Sequence, residues 1–332
     1  MVFALCGIIN MTSISRRLFL QGAGGVAWAT AGIGSYAFVF EPCLRLNVTS
    51  YRVVPPGWPD GLTVKAVVLA DIHACEPWMP ANRVRGIANL TNDLSPDIVF
   101  LLGDFSGGHR FVTGPVMPEE WGEALSILKA PLGVHAVLGN HDWWHGALPG
   151  MPADDAEGVR QALRSAGIEV LENNALRVRK NGQPFWVAGL GDQVGELTGP
   201  RRFRGLDDLG GTLAQINDEA PVILLAHEPI IFRRVPDRVS LTLCGHTHGG
   251  QVNLPMITQD FMISHFGSDL VYGHIVESGR HLIISAGLGT SITPVRFMRP
   301  PEVVQLTIGD GGRCRNPEPM HLRASIVSKC LA

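Results

Sequence analysis

Asp97-Ile98-Val99-Phe100-Leu101-Leu102-Gly103-Asp104 reads as one short strand, apolar on both faces, that stops at a turn and presents a carboxylate. An unbroken β-branched and Leu-rich run of this length suits a strand covered on both sides, because a half-exposed strand would alternate. Four more runs share its design. Residues 62–70 lead to Asp71-Ile72-His73, and residues 134–138 lead to Gly139-Asn140-His141-Asp142. Residues 222–226 end at His227, and Leu241–Cys244 ends at Gly245-His246-Thr247-His248. Between the strands, residues 121–129 and 156–165 carry apolar positions at helical spacing, and Gly167 is placed to stop the second helix. Strands that alternate with helices imply an α/β fold. Residues 186–188, 281–285 and 303–307 predict further strands.

Composition agrees with a globular chain: 332 residues, 45% apolar and 17% charged. The 39 glycines and 23 prolines favour many turns between short elements. A net charge of -3 supplies no broad basic field, so no nucleic-acid partner is expected. Six cysteines (Cys6, Cys43, Cys75, Cys244, Cys314, Cys330) form no CxxC pair, which argues against a zinc ribbon or a thioredoxin-type motif. Cys75 and Cys244 read as small buried thiols. A Cys314–Cys330 disulfide is open to the chain in an oxidising compartment.

The N-terminus reads as an address. Ser15-Arg16-Arg17-Leu18-Phe19-Leu20-Gln21 resembles the twin-arginine export signal, and no charged residue follows until Glu41. That uncharged stretch is long enough to span a bilayer, for which ~20 apolar residues suffice. Ala29-Thr30-Ala31 is a small-residue cleavage site, so removal and retention as an anchor both stay open. The resemblance implies the twin-arginine export machinery as a partner and an extracytoplasmic or membrane-anchored location. The expected organisation is a signal or anchor over residues 1–41, a Pro-rich lead-in over 42–60, one domain over 61–310 and a tail over 311–332.

Taken singly, each strand-end motif is weak, since Asp-x-His and Gly-Asp recur at ordinary turns. As an ordered set they carry chemistry. Imidazole and carboxylate donors together suit borderline divalent ions. The set Asp71-Ile72-His73, Gly103-Asp104, Gly139-Asn140-His141-Asp142, His227 and Gly245-His246-Thr247-His248 resembles the calcineurin-like metallophosphoesterase superfamily, from about residue 62 to about residue 307. The resemblance implies a four-layer α/β/β/α sandwich of two mixed sheets flanked by helices. It implies two divalent metal ions, drawn from Mn, Fe, Zn, Co or Mg. Asp71, His73 and His248 would hold the first, Asn140, His227 and His246 the second, and Asp104 would bridge both. His141 would meet the substrate as the catalytic residue. The chemistry gives its own reasons: two ions ~3.5–4 Å apart neutralise phosphoryl oxygens and hold an in-line geometry.

Departures narrow the branch. Phe105-Ser106-Gly107-Gly108 follows Gly103-Asp104, so the Asp-Arg pair of protein serine/threonine phosphatases is missing, as is the tyrosine ligand of purple acid phosphatases. Gly245-His246-Thr247-His248-Gly249-Gly250-Gln251, Gly287-Leu288-Gly289-Thr290-Ser291 and Pro294-Val295-Arg296-Phe297 resemble exported or membrane-anchored phosphodiesterases of the YkuE/YaeI type. The implied substrate is a phosphoester or a lipid-linked pyrophosphate, as in UDP-2,3-diacylglucosamine cleavage. A nonspecific phosphomonoesterase and a non-catalytic metal-binding scaffold are the rivals.

Several residues keep two readings. Asp142 orients His141 or caps its turn. Arg296 and Arg299 clamp a phosphate or make salt bridges. His109, His145 and His274 line the cleft or are solvated. Trp143 and Trp144 wall the cleft or pack inside. Arg201, Arg202 and Arg204 meet anionic headgroups or form a solvated loop.

Overall fold

The computed structural model describes residues 16–109, 111–144, 156–199, 202–254, 257, 269–309 and 320–322. Ser15, His145, Arg201, Cys6, Cys314 and Cys330 lie outside the described residues.

In chain order the strands begin with β1 (Asn47–Val53), β2 (Val64–Leu69), β3 (Cys75–Glu76), β4 (Ile98–Leu102), β5 (Gly114–Pro115) and β6 (Val134–Val137). They continue with β7 (Glu169–Val170), β8 (Asn174–Lys180), β9 (Gln183–Gly189), β10 (Glu196–Gly199), β11 (Arg202–Arg204) and β12 (Val222–Leu225). The last are β13 (Leu241–Cys244), β14 (Gly273–Glu277), β15 (Arg280–Ile284), β16 (Glu302–Ile308) and β17 (Met320–Leu322). The α-helices are α1 (Arg16–Ser35), α2 (Ala81–Asp93), α3 (Pro118–Leu125), α4 (Asn140–Trp143), α5 (Glu157–Ser165) and α6 (Leu209–Ala214).

One sheet runs β17-β1-β16-β2-β4-β6-β7 and the other β14-β15-β13-β12-β9-β8. Both are mixed, with parallel β2-β4-β6 in the first and parallel β9-β12-β13-β15 in the second. The period of two along a strand sorts side chains into layers. Ala66, Val68, Ile98 and Phe100 face the second sheet, where they meet Phe185, Val187, Ile223 and Leu243. Their neighbours Val67, Leu69, Val99 and Leu101 face the other way, against Ile87 of α2, Trp121 of α3 and Leu163 of α5. Behind the second sheet, Trp186, Val222 and Leu224 pack on Leu209 of α6 and on Phe232. These are the four layers the resemblance implied.

Register brings the strand ends together. Leu69 sits beside Leu101, and Leu102 beside Val137, so the chain leaves β2, β4 and β6 at one edge. Leu225 beside Leu243 does the same for β12 and β13. Ligand sites of α/β sheets lie outside such carboxyl ends.

Three differences from the sequence reading bear on how the sheets are built. The stretch 42–60 holds β1, which pairs in parallel with β16 along its whole length and buries Val48 and Val53. Its polar alternation, Asn-Val-Thr-Ser-Tyr-Arg-Val, hid a strand with one covered face. Helix α3 starts at Pro118 rather than Trp121, because proline fits the first helical turn and Glu120 accepts from the Met117 N–H at 2.8 Å. Helix α2 was missed. Its buried positions Val84, Ile87, Ala88 and Thr91 keep helical spacing, but arginines and asparagines separate them.

Candidate metal centre

Every candidate ligand lies at a strand end, and five of them have left-handed backbone: Asp71 (φ 51), His73 (φ 46), Asp104 (φ 56), His246 (φ 69) and His248 (φ 51). Non-glycine residues avoid this region, and strain of this kind concentrates at functional sites. The network holding it is dense. Asp71 and His73 donate their backbone N–H groups to Gly103 O and Asp104 O at 3.1 and 2.9 Å. The Asp71 carboxylate accepts from the His246 N–H at 2.8 Å, and Asp104 Oδ1 accepts from the His141 N–H at 2.8 Å. At Gly139 the chain passes so close that a Cβ would stand 2.4 Å from Asp104 Oδ1 and 2.6 Å from His227 Cε1.

The donors converge. Asp71, His73 and His248 bring one donor atom each within 4.8 Å of one another, as do Asp71, Asp104 and His227. Asp104 Oδ2 stands between two imidazoles, 3.3 Å from His73 Nε2 and 3.2 Å from His227 Nε2. His73 Nε2 and His248 Nε2 face each other at 3.0 Å. Asn140 Oδ1 lies 3.0 Å from His246 Nδ1. The far nitrogens are tied back: His227 Nδ1 meets Leu102 O at 2.6 Å and His73 Nδ1 meets Ser106 O at 3.3 Å. Such bonds fix the tautomer and turn the other nitrogen inward, as metal-bound histidines require. Asp71 Oδ2 is buried without a hydrogen-bond partner. Buried polar atoms seldom stay unsatisfied, so this donor set fits divalent ions. All seven expected ligands are thus gathered at one edge.

Charge is divided within the cluster. Burial opposes charging His227, yet the Asp104 carboxylate holds it well above the usual histidine range. Burial likewise opposes Asp104, but the charges of His227 and His141 hold it well below the carboxylate range. Burial pushes Asp71 up to about 6, against the pull of His227. Burial also pushes His141 down to about 4, so its imidazole is neutral at neutral pH.

His141 sits on the outer side of the cluster, half-buried, with its ring 4.8 Å from that of His73. Its Nε2 is 3.3 Å from Ser291 Oγ, and its ring is 5.5 Å from that of Trp144. Asp142 does not orient it. The Asp142 carboxylate instead accepts from the N–H groups of Gly139, Asp104 and Phe105 at 2.8–2.9 Å, capping the turn.

The other two-way residues now divide. Trp144 walls the site and stacks on Phe203 at 5.4 Å, whereas Trp143 packs into the core under Arg160. His109 stands near His73, packed on Trp78 at 5.2 Å. His274 stacks on His281 in the β14-β15 hairpin. Arg204 pairs with Glu196 across the exposed β10-β11 ribbon that also carries Arg202. Arg299 lies over the Tyr272 ring at 3.9 Å. Arg296 neither clamps a phosphate nor makes a surface salt bridge. It is fully buried and donates to the carbonyls of Gly289, Ala286, Gly287 and Arg299. Burial pulls it down to about 10, which leaves it charged at neutral pH.

Sequence reasoning missed Ser291 as a neighbour of His141, and it missed Glu228. That side chain is buried, one oxygen lacks a partner, and it stands 3.9 Å from His246 Nδ1. Its position directly after His227 was the available signal.

Comparison with known proteins agrees with this geometry. The sequence model of the family described as "Calcineurin-like phosphoesterase" matches residues 64–276. An uncharacterized metallophosphoesterase of Aquifex aeolicus is 31% identical over 84% of this chain and 97% of its own length. The metallophosphoesterase YkuE of Bacillus subtilis is 28% identical, over 90% of this chain and 99% of that protein. "Phosphodiesterase YaeI" of Escherichia coli is 27% identical, over 89% and 99%.

Proposed function

The chain belongs to the calcineurin-like phosphoesterase family, and from that membership we propose that it cleaves a phosphodiester at a two-metal centre on the membrane or beyond it. Family membership makes it a metal-dependent phosphoric ester hydrolase. In our reading Asp71, His73 and His248 would hold one ion and Asn140, His227 and His246 the other, with Asp104 shared between them. Bound there, the ions would supply charge neutralisation of the phosphoryl oxygens and activation of the attacking water.

The chain's own residues do the rest. Asp104 is fixed for bridging because its Oδ1 is held by the His141 N–H while Oδ2 faces His73 and His227. His141, neutral and on the open side, offers an imidazole N–H to a phosphoryl oxygen or to the leaving alkoxide. Ser291 Oγ meets its Nε2 at 3.3 Å, and the Trp144 ring lies 5.5 Å from that of His141. The observation that carries the reading is the convergence of these donor-bearing side chains at one sheet edge, with Asp71 Oδ2 buried and unpartnered.

The N-terminal apolar helix, with Leu20–Leu44 long and apolar enough to cross a membrane, supports a membrane-anchored or exported protein. The Arg16-Arg17 pair ahead of it supports the twin-arginine route.

The test is hydrolysis of bis-p-nitrophenyl phosphate and p-nitrophenyl phosphate by the full chain after metal removal and Mn readdition, with bound metal counted. Turnover of the diester with two ions per chain, lowered at least ~100-fold in Asp104→Ala, is expected. Turnover of the monoester alone would replace this reading with a phosphomonoesterase. Two bound ions with no turnover of either would replace it with a scaffold or an enzyme closed to both esters.

A further inference from the structure

Around the metal centre the surface is apolar in a way packing does not explain. Ile292 directly follows Ser291, the residue that touches His141. It is 72% exposed, and its φ is 64. A β-branched residue in the left-handed region is a real outlier, and here burial returns nothing for the strain. Met298, 51% exposed with φ 55, repeats the combination six residues later. Trp144, whose ring lies 5.5 Å from that of His141, stacks on Phe203, which is 44% exposed on the β10-β11 ribbon. Ile292 and Phe203 thus lie one contact away from the two side chains that touch His141, Ser291 and Trp144.

The same loop holds the apolar helix. Beyond α1 the chain continues in π-helical turns over Tyr36–Leu44. One side of these turns is docked. The buried Glu41 carboxylate accepts from the N–H groups of Met298 and Arg299 at 3.0 and 2.6 Å. Ala37 O accepts from the Arg296 N–H at 2.9 Å, and Phe38 O accepts from Trp78 Nε1 at 2.9 Å. The other side leaves the Phe38, Val39 and Phe40 side chains exposed. From Ser291 to Met298 a chain can reach at most ~25 Å. The outer face of the site is therefore tied, at short range, to the end of a segment able to cross a membrane.

We propose that the mouth of the metal centre rests on the lipid bilayer, with Ile292, Met298 and Phe203 in its headgroup layer, so that the enzyme takes an amphiphilic phosphoester from the membrane surface. This deepens the phosphodiesterase reading and rests on it for the chemistry. Apolar and aromatic side chains settle at that depth, and arginines such as Arg202 meet anionic headgroups beside them. A strained, exposed isoleucine is then accounted for: it gains its burial only against lipid.

Two measurements on the full chain in liposomes test this. Irradiation with a diazirine-labelled phosphatidylcholine, followed by peptide mass spectrometry, maps lipid contacts without any turnover. Adducts on the peptides of Ile292 and Phe203, as well as on the apolar helix, are expected. Adducts confined to the helix overturn the proposal. In the second, Ile292→Gly and Met298→Gly are combined, which relieves both left-handed residues. Hydrolysis of a vesicle-borne fluorescent phosphodiester should fall at least 10-fold, with bis-p-nitrophenyl phosphate turnover and melting temperature kept. Equal retention of both activities overturns it. A dimer in detergent that these substitutions dissolve would assign the rim to a second copy and also overturn it. Absent turnover of the soluble diester by the unaltered chain would sink the phosphodiesterase reading, while the adduct map still judges the docking surface.

Discussion

At the scale of single residues, the site stores protons where a metal would bind. His227 is held well above its usual range and Asp104 well below, so the two form an ion pair at 3.2 Å at the centre of the cluster. His73 is raised as well, its burial outweighed by the Asp104 carboxylate. Imidazole ligates metal only when neutral, so loading must expel these protons. The sign follows. Uptake at pH 7 should release at least one proton per chain, and as pH falls apparent affinity should weaken ~10-fold per pH unit for each proton displaced. Below about 6 the buried Asp71 also takes a proton, and the dependence should steepen. Calorimetric titration with Mn in two buffers of different ionisation enthalpy measures the release directly. No net release at pH 7 would show that His227 is already neutral. The donor types of this cluster were legible in the sequence because each follows an apolar run. The fates of Arg296 and Asp142 were not, because the partners that fix each side chain, the carbonyls of Ala286, Gly287 and Gly289 and the N–H groups of Asp104 and Phe105, are set by the fold.

Among the elements, the loop from β15 to β16 matters more than its lack of regular structure suggests. It is tied to the end of β2, where Asp71 lies: Leu288 N–H donates to Ala70 O at 3.0 Å and Gly289 N–H to Asp71 O at 2.7 Å. Arg296 gathers this loop from inside through four carbonyls, and its Nη2 stands 3.4 Å from His248 Nδ1. A planar five-donor fork can serve several carbonyls at once, whereas a single ammonium cannot. Arg296→Lys should therefore leave buried carbonyls unpaired and lower stability on the order of 3 kcal/mol. It should also weaken binding at the first metal position ~10-fold, in the range seen when a ligand's supporting shell is lost. Thermal denaturation and competition with a chelator report the two effects separately, and an unchanged melting temperature would refute the clamp. The parallel strands were legible for a related reason: double-sided burial writes itself as a continuous apolar run. Helix α2 and strand β1 were not, since each has one covered face and polar residues on the other.

For the whole molecule, the question is where the folded unit begins. The Pro-rich stretch 42–60 reads as a lead-in, yet β1 within it lies between β16 and β17 in the first sheet. It pairs residue for residue with β16 from Asn47–Glu302 to Val53–Ile308. Thr49 Oγ1 donates to the buried Glu302 carboxylate at 2.5 Å, and that carboxylate also accepts from the Ala286 N–H at 2.8 Å, at the start of the loop from β15 to β16. Removing β1 would expose the edge of β16 and leave Glu302 short of a partner. Losing Val48 and Val53 from the core forfeits ~1.5–3 kcal/mol each, before any backbone bond is counted. Against a total stability of ~5–15 kcal/mol this is decisive. A chain beginning at Tyr36 keeps β1, Glu41 and the docked turns, and it should melt cooperatively within a few degrees of the full chain. One beginning at Gly61 should show no cooperative transition and should aggregate through the bared strand edge. Calorimetry on the two truncated chains compares them directly. If the shorter chain melts cooperatively and still binds Mn, then β1 is an accessory to the sheet, and the metal centre is supported by residues 61–309 alone.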